Sequence, residues 1–289
     1  MSSPLRCWIE AMRLRTLPVS TAGVITASAL ALAFGRFRWL PAILSLVFAV
    51  LAQIASNFAN EYFDYRDGLD APGRDGPRRG VTEGDISPRA MLLATFITLA
   101  LACADGLALV SFGGWWLIPA GIVIALGALA YSAGPYPLSR HALGEVAVIF
   151  FFGIVPVNLT FYVMSSQWHF IVFLTSLAVG FMGANVLIIN NFRDTDADRA
   201  VGKVTLSVLL GKRYMPPLYL ANAVVASLLA IPAFLLTPAW FLIFLYFIPS
   251  LLIARAMTRL TGPRLNPLLG MTAISMLLFS LLLLLSVFL

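Results

Sequence analysis

Two clusters of Asn and Asp, each at the polar end of a long apolar run, carry the chemistry legible in this chain. The first, NFANEYFDYRDGLD, runs from Asn57 to Asp70; the second, NNFRDTDADR, from Asn190 to Arg199. Ten of the thirteen acidic residues lie between Glu61 and Asp85 or between Asp194 and Asp198. Carboxylate and amide oxygens are hard ligands suited to Mg²⁺, and Mg²⁺ commonly accompanies a phosphate-bearing substrate. Continued as a helix at about 100° per residue, the first cluster puts Asn57, Asn60, Glu61 and Asp64 in one arc, with Asp70 shortly beyond. The second does the same for Asn190, Asn191, Asp194 and Asp198, while Asp196 points away toward water. Each helix then offers two carboxylates and two amides on one face. A pair of bridged Mg²⁺ ions needs such a protein side, with diphosphate oxygens and water completing the shells. Capping Asn and Asp at an ordinary solvated helix end explain one such cluster more readily than two of matched spacing.

Basic residues are interleaved with the acids: Arg78, Arg79, Arg193, Arg199 and Lys203. That mixture suits an anion held by metals, with carboxylates on the metal and guanidinium or ammonium groups on the remaining phosphate oxygens. The bias of membrane proteins toward basic cytoplasmic loops supplies Arg to the same places. The run GKVT from Gly202 lacks the upstream glycine of a P-loop and follows no strand, so a nucleoside triphosphate site is excluded. Glu145, Tyr131 and Arg140 fall at the same ends of neighbouring apolar runs and are candidates to touch substrate. Asp105 lies mid-run in LACADGLAL, and an acid at that depth is a functional candidate or a hydrogen-bond partner for a neighbouring helix.

The elements that must position these residues are apolar helices. The chain is 60% hydrophobic and 11% charged, against roughly 25% charged for a soluble domain. Runs of about 20 apolar residues predict nine spans, near 16–35, 39–60, 90–112, 115–134, 142–164, 169–191, 215–236, 239–257 and 267–289. The expected fold is an all-α bundle of about nine transmembrane helices forming one domain over residues 1–289, with both Asp-rich motifs on the cytoplasmic side. Sorting the 19 Lys and Arg residues by this count places 17 on the side of the N-terminus and two, Arg36 and Arg38, on the other. That predicts a cytoplasmic N-terminus, a C-terminus on the opposite side and residence in the cell inner membrane. The net charge of +6 then reflects topology and not nucleic-acid binding. Residues 1–15 read as an interfacial helix, from Leu5, Trp8, Ile9 and Met12 at helical spacing. Residues 61–89 and 192–214 read as cytoplasmic loops of the site. An offset of 130 residues superposes Asn60, Glu61 and Asp64 on Asn190, Asn191 and Asp194, a short internal repeat. The first span is expected to be retained, not cleaved as a signal peptide. Cys7 and Cys103 have no pairing or metal-ligand spacing.

The quoted residues resemble the UbiA superfamily of intramembrane prenyltransferases. The match covers about Arg13 to Gly211 and rests on NxxNExxD with a following Gly and Asp, and on NNxRDxxxDRxxGKxTL. RLRTLP from Arg13, RRGVTEGDIS from Arg79, YSAGPYPL from Tyr131 and GEVAVIFFFG from Gly144 are similar to one branch, the 1,4-dihydroxy-2-naphthoate polyprenyltransferases of menaquinone synthesis. Glu61 and Glu145 depart from the usual Asp but keep the carboxylate. The resemblance implies that Asn60, Glu61, Asp64, Asp70, Asn191, Asp194 and Asp198 hold Mg²⁺, with Asp64, Asp194 and Asp198 acting in catalysis. It implies that Asn57, Asn60, Arg79, Tyr131, Arg140, Glu145, Asn190, Arg193, Arg199 and Lys203 bind substrates. These would be a lipid polyprenyl diphosphate and a soluble aromatic acid, the ring losing CO₂ as it is alkylated. Sister enzymes of the superfamily take 4-hydroxybenzoate, homogentisate or a porphyrin instead. A cation-coupled transporter is the reading from another class; it requires acids along a path at mid-membrane depth, and only Asp105 is deep.

The topology is testable by single cysteines on a background lacking Cys7 and Cys103. Cysteines at Gly76 and Lys212 are expected to resist an impermeant thiol reagent in intact cells and react in inverted vesicles. One at Ser166 is expected to react in intact cells. Opposite labelling of positions 76 and 212 would put the two clusters on different sides and remove the shared site.

Overall fold

In lipid every backbone N–H and C=O must be satisfied within the chain, which leaves helices as the economical solution for long apolar runs. The computed structural model describes residues 4–70 and 78–289, and no strand occurs among them. Arg74 and Gly76, used above for charge sorting and labelling, lie outside the described residues, as do residues 1–3 of the expected interfacial helix. The helices are α1 (Pro4–Met12), α2 (Leu17–Ala33), α3 (Trp39–Arg66), α4 (Pro88–Gly113) and α5 (Leu117–Ala130). They continue with α6 (Gly144–Val148), a π-helical stretch (Ile149–Ile154), α7 (Val155–Ser165), α8 (Phe170–Ala200) and α9 (Leu206–Leu210). The last three are α10 (Met215–Phe234), α11 (Phe244–Met257) and α12 (Asn266–Ser286). Eight helical segments among the described residues are long and apolar enough to cross a membrane.

The expected span near 115–134 is the exception. Its helix α5 has 14 residues, about 21 Å at 1.5 Å per residue, against a hydrocarbon core of about 30 Å. The run Gly134-Pro135-Tyr136-Pro137 stops it, since proline cannot continue a helix and disfavours helical geometry before it. The acidic clusters also sit differently from the loop boundaries expected at 61 and 192. Helix α3 continues to Arg66 and α8 to Ala200, so both clusters ride on the last turns of long helices.

Helix α8 is the central post, packed on α10, α7, α12 and the π-helical stretch. The apolar core joins α2, α7, α8, α10 and α12 and is rich in alanine; Ala223, Ala226, Ala230 and Ala233 form one stripe on α10. Small residues let helices approach where lipid supplies no hydrophobic drive between them. The closest approach lies at the π-helical stretch. A Cβ on Gly153 would run into the backbone of Gly180 and the Ser176 carbonyl. This contact fixes α6 and α7 against α8, and with them Glu145 against Asn191. At the other motif, Ser87 caps α4 by accepting from Ala90 N at 3.2 Å, with Pro88 at the first helical position. Helix α1 lies beside α3, Trp8 packing edge-on against Phe58.

Gly153→Val is therefore expected to destabilise the fold by at least about 1–3 kcal/mol through overpacking, read as a lower melting temperature in detergent. Gly121→Ala, where a Cβ meets open space, serves as the control and should leave that temperature unchanged.

Candidate active site

The first motif is organised by one amide. Asn60 Oδ1 accepts from Arg13 at 2.7 Å and from both Arg79 terminal nitrogens at 3.2 and 3.3 Å. Its Nδ2 donates to Asp64 Oδ2 at 3.0 Å and to Ser132 Oγ at 2.9 Å. Arg79 is buried and also pairs with Asp70 at 3.2 Å. Arg140 bridges Asp67 at 2.7 Å and Asp64 at 3.7 Å. Asp67, the residue that follows α3, is held below the usual carboxylate range by its hydrogen bond to Arg66 and then by Arg140. Asn57 donates to the Met12 carbonyl at 3.0 Å and so ties α1 to α3. Glu61 accepts from the backbone N of Val81 at 3.1 Å. It anchors the turn that delivers Arg79.

The second motif is built from its own ion pairs. Arg193 is buried and chelates Asp194 through Nε and Nη2, both at 2.7 Å. It also donates to Asn190 and Asn266, each at 2.8 Å. Lys203 pairs with Asp198 at 3.4 Å. Asn191 donates to Glu145 at 2.9 Å, joining α8 to α6. The segment after Tyr131 and the segment after α8 are stitched by backbone bonds, Ala142 N to Val204 O at 2.8 Å and Val204 N to Arg140 O at 3.1 Å. This seam brings the motifs together. Asp64 lies within electrostatic reach of Lys203 as well as of Arg13, Arg140 and Asp70. Tyr131 lies within reach of Glu145, Asp64, Arg13 and Asp198.

A cavity of about 1200 Å³ opens at this meeting point. Its polar end is lined by Arg13, Arg15, Asn57, Asn60, Asp64, Arg78, Arg79, Tyr131, Glu145, Asn190, Asn191, Arg193 and Lys203. The remainder runs between α3, α4, α5 and α7 and is walled by groups such as Phe48, Ala102, Gly121, Phe151 and Leu159. A charged pocket thus continues directly into an apolar one.

Residues 22–267 match the UbiA prenyltransferase family. The chain is 37% identical to the 1,4-dihydroxy-2-naphthoate octaprenyltransferase of Escherichia coli, over 99% of this chain and 96% of that protein. It is 34% identical to the protein of that name from Mycobacterium tuberculosis, over 95% and 94%. The chain belongs to the UbiA prenyltransferase family. Its fold also matches solved UbiA homologues. That of Aeropyrum pernix K1 has a TM-score of 0.71 at 19% identity, over 91% of this chain and 96% of the other. That of Archaeoglobus fulgidus, bound to DMAPP and Mg²⁺, has a TM-score of 0.65 at 16% identity, over 94% and 98%. The chain is a multi-pass membrane prenyltransferase.

Six of the expected site residues, Glu61, Asp70, Arg140, Asp194, Asp198 and Arg199, stand outside the cavity lining. Arg199 is exposed and sits 4.0 Å from the still more exposed Asp196, which pairs with Lys212. One residue past the buried Asp198 is about 100° of helix, which leaves Arg199 exposed and outside the cavity lining. Glu61 is absent from the cavity lining, because its reach goes to Val81. Asp194 likewise stands behind the lining, with both oxygens taken by Arg193. Sequence reading missed Arg13, Ser132, Thr205 and Asn266 as site residues. Arg13 had a signal in RLRTLP, but an arginine before an apolar run is also the ordinary mark of a cytoplasmic flank. Its backbone is left-handed at φ 54°, an unusual conformation for a non-glycine residue that recurs at functional sites. Asp105 does not line the cavity.

The donor set fits a hard divalent cation. Asp64 and Glu61 are buried, and Asp64 Oδ1 and Glu61 Oε2 lack hydrogen-bond partners, a costly arrangement for a carboxylate unless something else coordinates it. No three acidic, His or Cys side chains gather into a ready metal centre among the described residues. Mg²⁺ is commonly held by one or two carboxylates with substrate phosphates supplying the rest, and Asp64, which lines the cavity, is a carboxylate of that kind.

The geometry separates two arginines. Arg13→Ala is expected to lower prenyl transfer at least about tenfold, by removing a charge-assisted bond at the head of the cavity. Arg199→Ala should stay within about twofold, as an exposed pair contributes little. Equal losses in a membrane assay would overturn this placement.

Proposed function

We propose that this chain transfers a polyprenyl group from polyprenyl diphosphate to 1,4-dihydroxy-2-naphthoate, with loss of CO₂, giving a demethylmenaquinol for menaquinone synthesis. The observation that carries this reading is the continuous cavity, cationic and carboxylate-lined at one end and apolar along the rest. Similarity over nearly the full length to relatives named for that acceptor supports its choice.

The chain's own groups divide the work. Arg13, Arg79 and Lys203 take the diphosphate oxygens and orient the reacting carbon, with Arg140 supporting Asp64 from behind the lining. Asp64 and Glu61 on α3, with Asp198 and Asp194 on α8, are the residues that would hold Mg²⁺, in a pair of ions on this reading; Asn60, Asn191 and Asp70 stand beside them. Bound there, the metal supplies neutralisation of the charge that grows on the departing diphosphate. The C1–O bond of the donor breaks with its electron pair going to diphosphate. The ring carbon of the acceptor then forms the new C–C bond, and the electrons of the lost carboxyl return to the ring. Tyr131, Glu145 and Asn191 stand where the head meets the apolar limb and seat the acceptor's hydroxyls. The apolar walls exclude water from the allylic cation. On the positive-inside count, the polar end faces the cytoplasm from the inner membrane, where a soluble aromatic acid enters and a lipid donor arrives from the side. The short helix α5 counts as a crossing in this topology.

Enzyme in chelator-washed membranes is expected to be silent and to recover with added Mg²⁺. Asp64→Ala and Asp194→Ala should each lower turnover by at least about 100-fold, and Asp196→Ala should be mild. Mass spectrometry of lipid quinones from cells with and without the chain reads the product directly. Full turnover without added metal, or an unchanged quinone profile, would overturn the reading.

A further inference from the structure

Among the described residues, three buried polar atoms without a hydrogen-bond partner belong to side chains that line the cavity: Asp64 Oδ1, Ser139 Oγ and Gln53 Oε1. Asp64 belongs with the metal, and Ser139 stands on the short segment that carries Arg140. Gln53 differs. It lies on α3 four residues before Asn57, about 6 Å deeper into the apolar limb, and is only 9% exposed. A buried acceptor left unmade is costly, so a native structure keeps one where something else completes it.

A chain of hydrogen bonds fixes which end of the Gln53 amide is left over. The Met12 carbonyl can only accept, so Asn57 turns its Nδ2 toward it, at 3.0 Å. Asn57 Oδ1 then faces Gln53, which presents Nε2 to it at 3.2 Å. Flipping either amide would set oxygen against oxygen or leave the Met12 carbonyl facing one. The Gln53 oxygen is therefore the end that remains, held in place from α1 through Asn57.

An amide oxygen only accepts, so its partner must bring an O–H or N–H. The polyprenyl diphosphate has neither to bring, since its head is an anion and its tail a hydrocarbon. The aromatic acid has. Its 1-hydroxyl is bonded to the adjacent carboxylate; its 4-hydroxyl lies across the ring and is free to donate. The lining around Gln53 leaves room for a flat ring, because its neighbours are small: Ala49, Ala52 and Ser56 on α3, Ala125 and Ala128 on α5. Ser56 Oγ stands 3.5 Å from the Ala128 carbonyl and sets the two helices side by side at this level. The Phe151 ring, also in the lining, seats on the adjacent Gly127 so closely that a Cβ there would overlap it.

We infer that Gln53 determines acceptor specificity: its Oε1 accepts a hydrogen bond from the 4-hydroxyl of the aromatic acid, whose carboxylate turns toward the cations of the head. This rests on the prenyl-transfer reading above. It adds the group that tells a 1,4-diol from an aromatic acid with a single hydroxyl, and completes from α3 the seat begun by Tyr131, Glu145 and Asn191.

The test uses the full-length enzyme in membranes, with geranyl diphosphate as donor and 1,4-dihydroxy-2-naphthoate as acceptor, inhibited by either of two acceptor analogues. 4-Amino-1-hydroxy-2-naphthoate brings an N–H to the 4-position; 4-fluoro-1-hydroxy-2-naphthoate brings no donor there. The amino analogue is expected to half-inhibit the unmutated enzyme at a concentration at least about tenfold lower than the fluoro analogue. Gln53→Met keeps the side-chain length without the amide, and should bring the two concentrations together. A substitution that merely loosens Asn57 would weaken both analogues alike and keep their ratio. A ratio near one in the unmutated enzyme, or a ratio unchanged by Gln53→Met, would overturn the assignment. Because a misfolded variant transfers nothing, 4-azido-1-hydroxy-2-naphthoate is also photo-cross-linked to the unmutated enzyme. Labels on 49–57 or 124–128 support the assignment, and labels confined to 131–145 and 190–203 overturn it. If the unmutated enzyme does not prenylate 1,4-dihydroxy-2-naphthoate at all, the prenyl-transfer reading itself fails and takes the role of Gln53 with it.

Discussion

Charge buried in an apolar bundle must be paired, and the structure turns on where those pairs are made. A carboxylate or guanidinium taken out of water carries a penalty of several kcal/mol that only close, hydrogen-bonded partners offset. Here the buried acids Asp64, Asp194 and Asp198 each stand beside a cation, Arg79 or Arg140, Arg193, and Lys203 respectively. The partners come from separate segments in the first motif and from the same chain segment in the second. That difference has a structural cause. The first motif must gather α1, α3, the turn after residue 78 and the segment after α5, so its bonds are long-range. The second sits on the central post and is already in place.

Asn60 is the hinge of that gathering. A neutral amide both donates and accepts, so it can bind two arginines through its oxygen while its nitrogen orients Asp64 and Ser132. An aspartate there would attract the arginines but lose the donor to Asp64 and place two carboxylates one helical turn apart, where like charges repel. Four segments thus meet on one side chain. The structure explains why an amide, and not a further acid, opens the motif.

The sequence carried the elements more fully than their joints. Apolar length located the crossing helices, because lipid leaves few alternatives to a helix. It overextended α5, where Gly134, Pro135 and Pro137 end the helix early. The spacing of Asn57 to Asp64 and Asn190 to Asp198 located two polar faces, and the helical period turned Asp196 outward, where it stands 76% exposed. Period alone does not say what a side chain reaches for. Glu61 shares its arc with Asp64 yet holds Val81, and Arg199 adjoins Asp198 yet faces out. Arg13 was hidden for the opposite reason: its partner Asn60 lies 47 positions away, and no local pattern encodes that distance.

The same constraint that pairs the charges also divides the cavity. Ions and amides cluster at one end because the helix termini deliver them there, and the remaining length of α3, α4, α5 and α7 offers a ligand mostly apolar side chains, with scattered uncharged polar groups such as Ser45, Gln53 and Thr160. A substrate that fills this space must itself be amphipathic, an anion joined to a hydrocarbon. The reacting bond of such a molecule falls at the boundary, where Tyr131, Glu145 and Asn191 stand between arginines and phenylalanines. Electrostatic help is strongest there, since few waters compete with the fixed charges. A carbocation formed at that boundary meets apolar groups on one side and the acceptor ring on the other. The order of the residues along α3, with amides and carboxylates from Asn57 onward and a mostly apolar, uncharged run before it, therefore sets both which molecule fits and where along it the chemistry occurs.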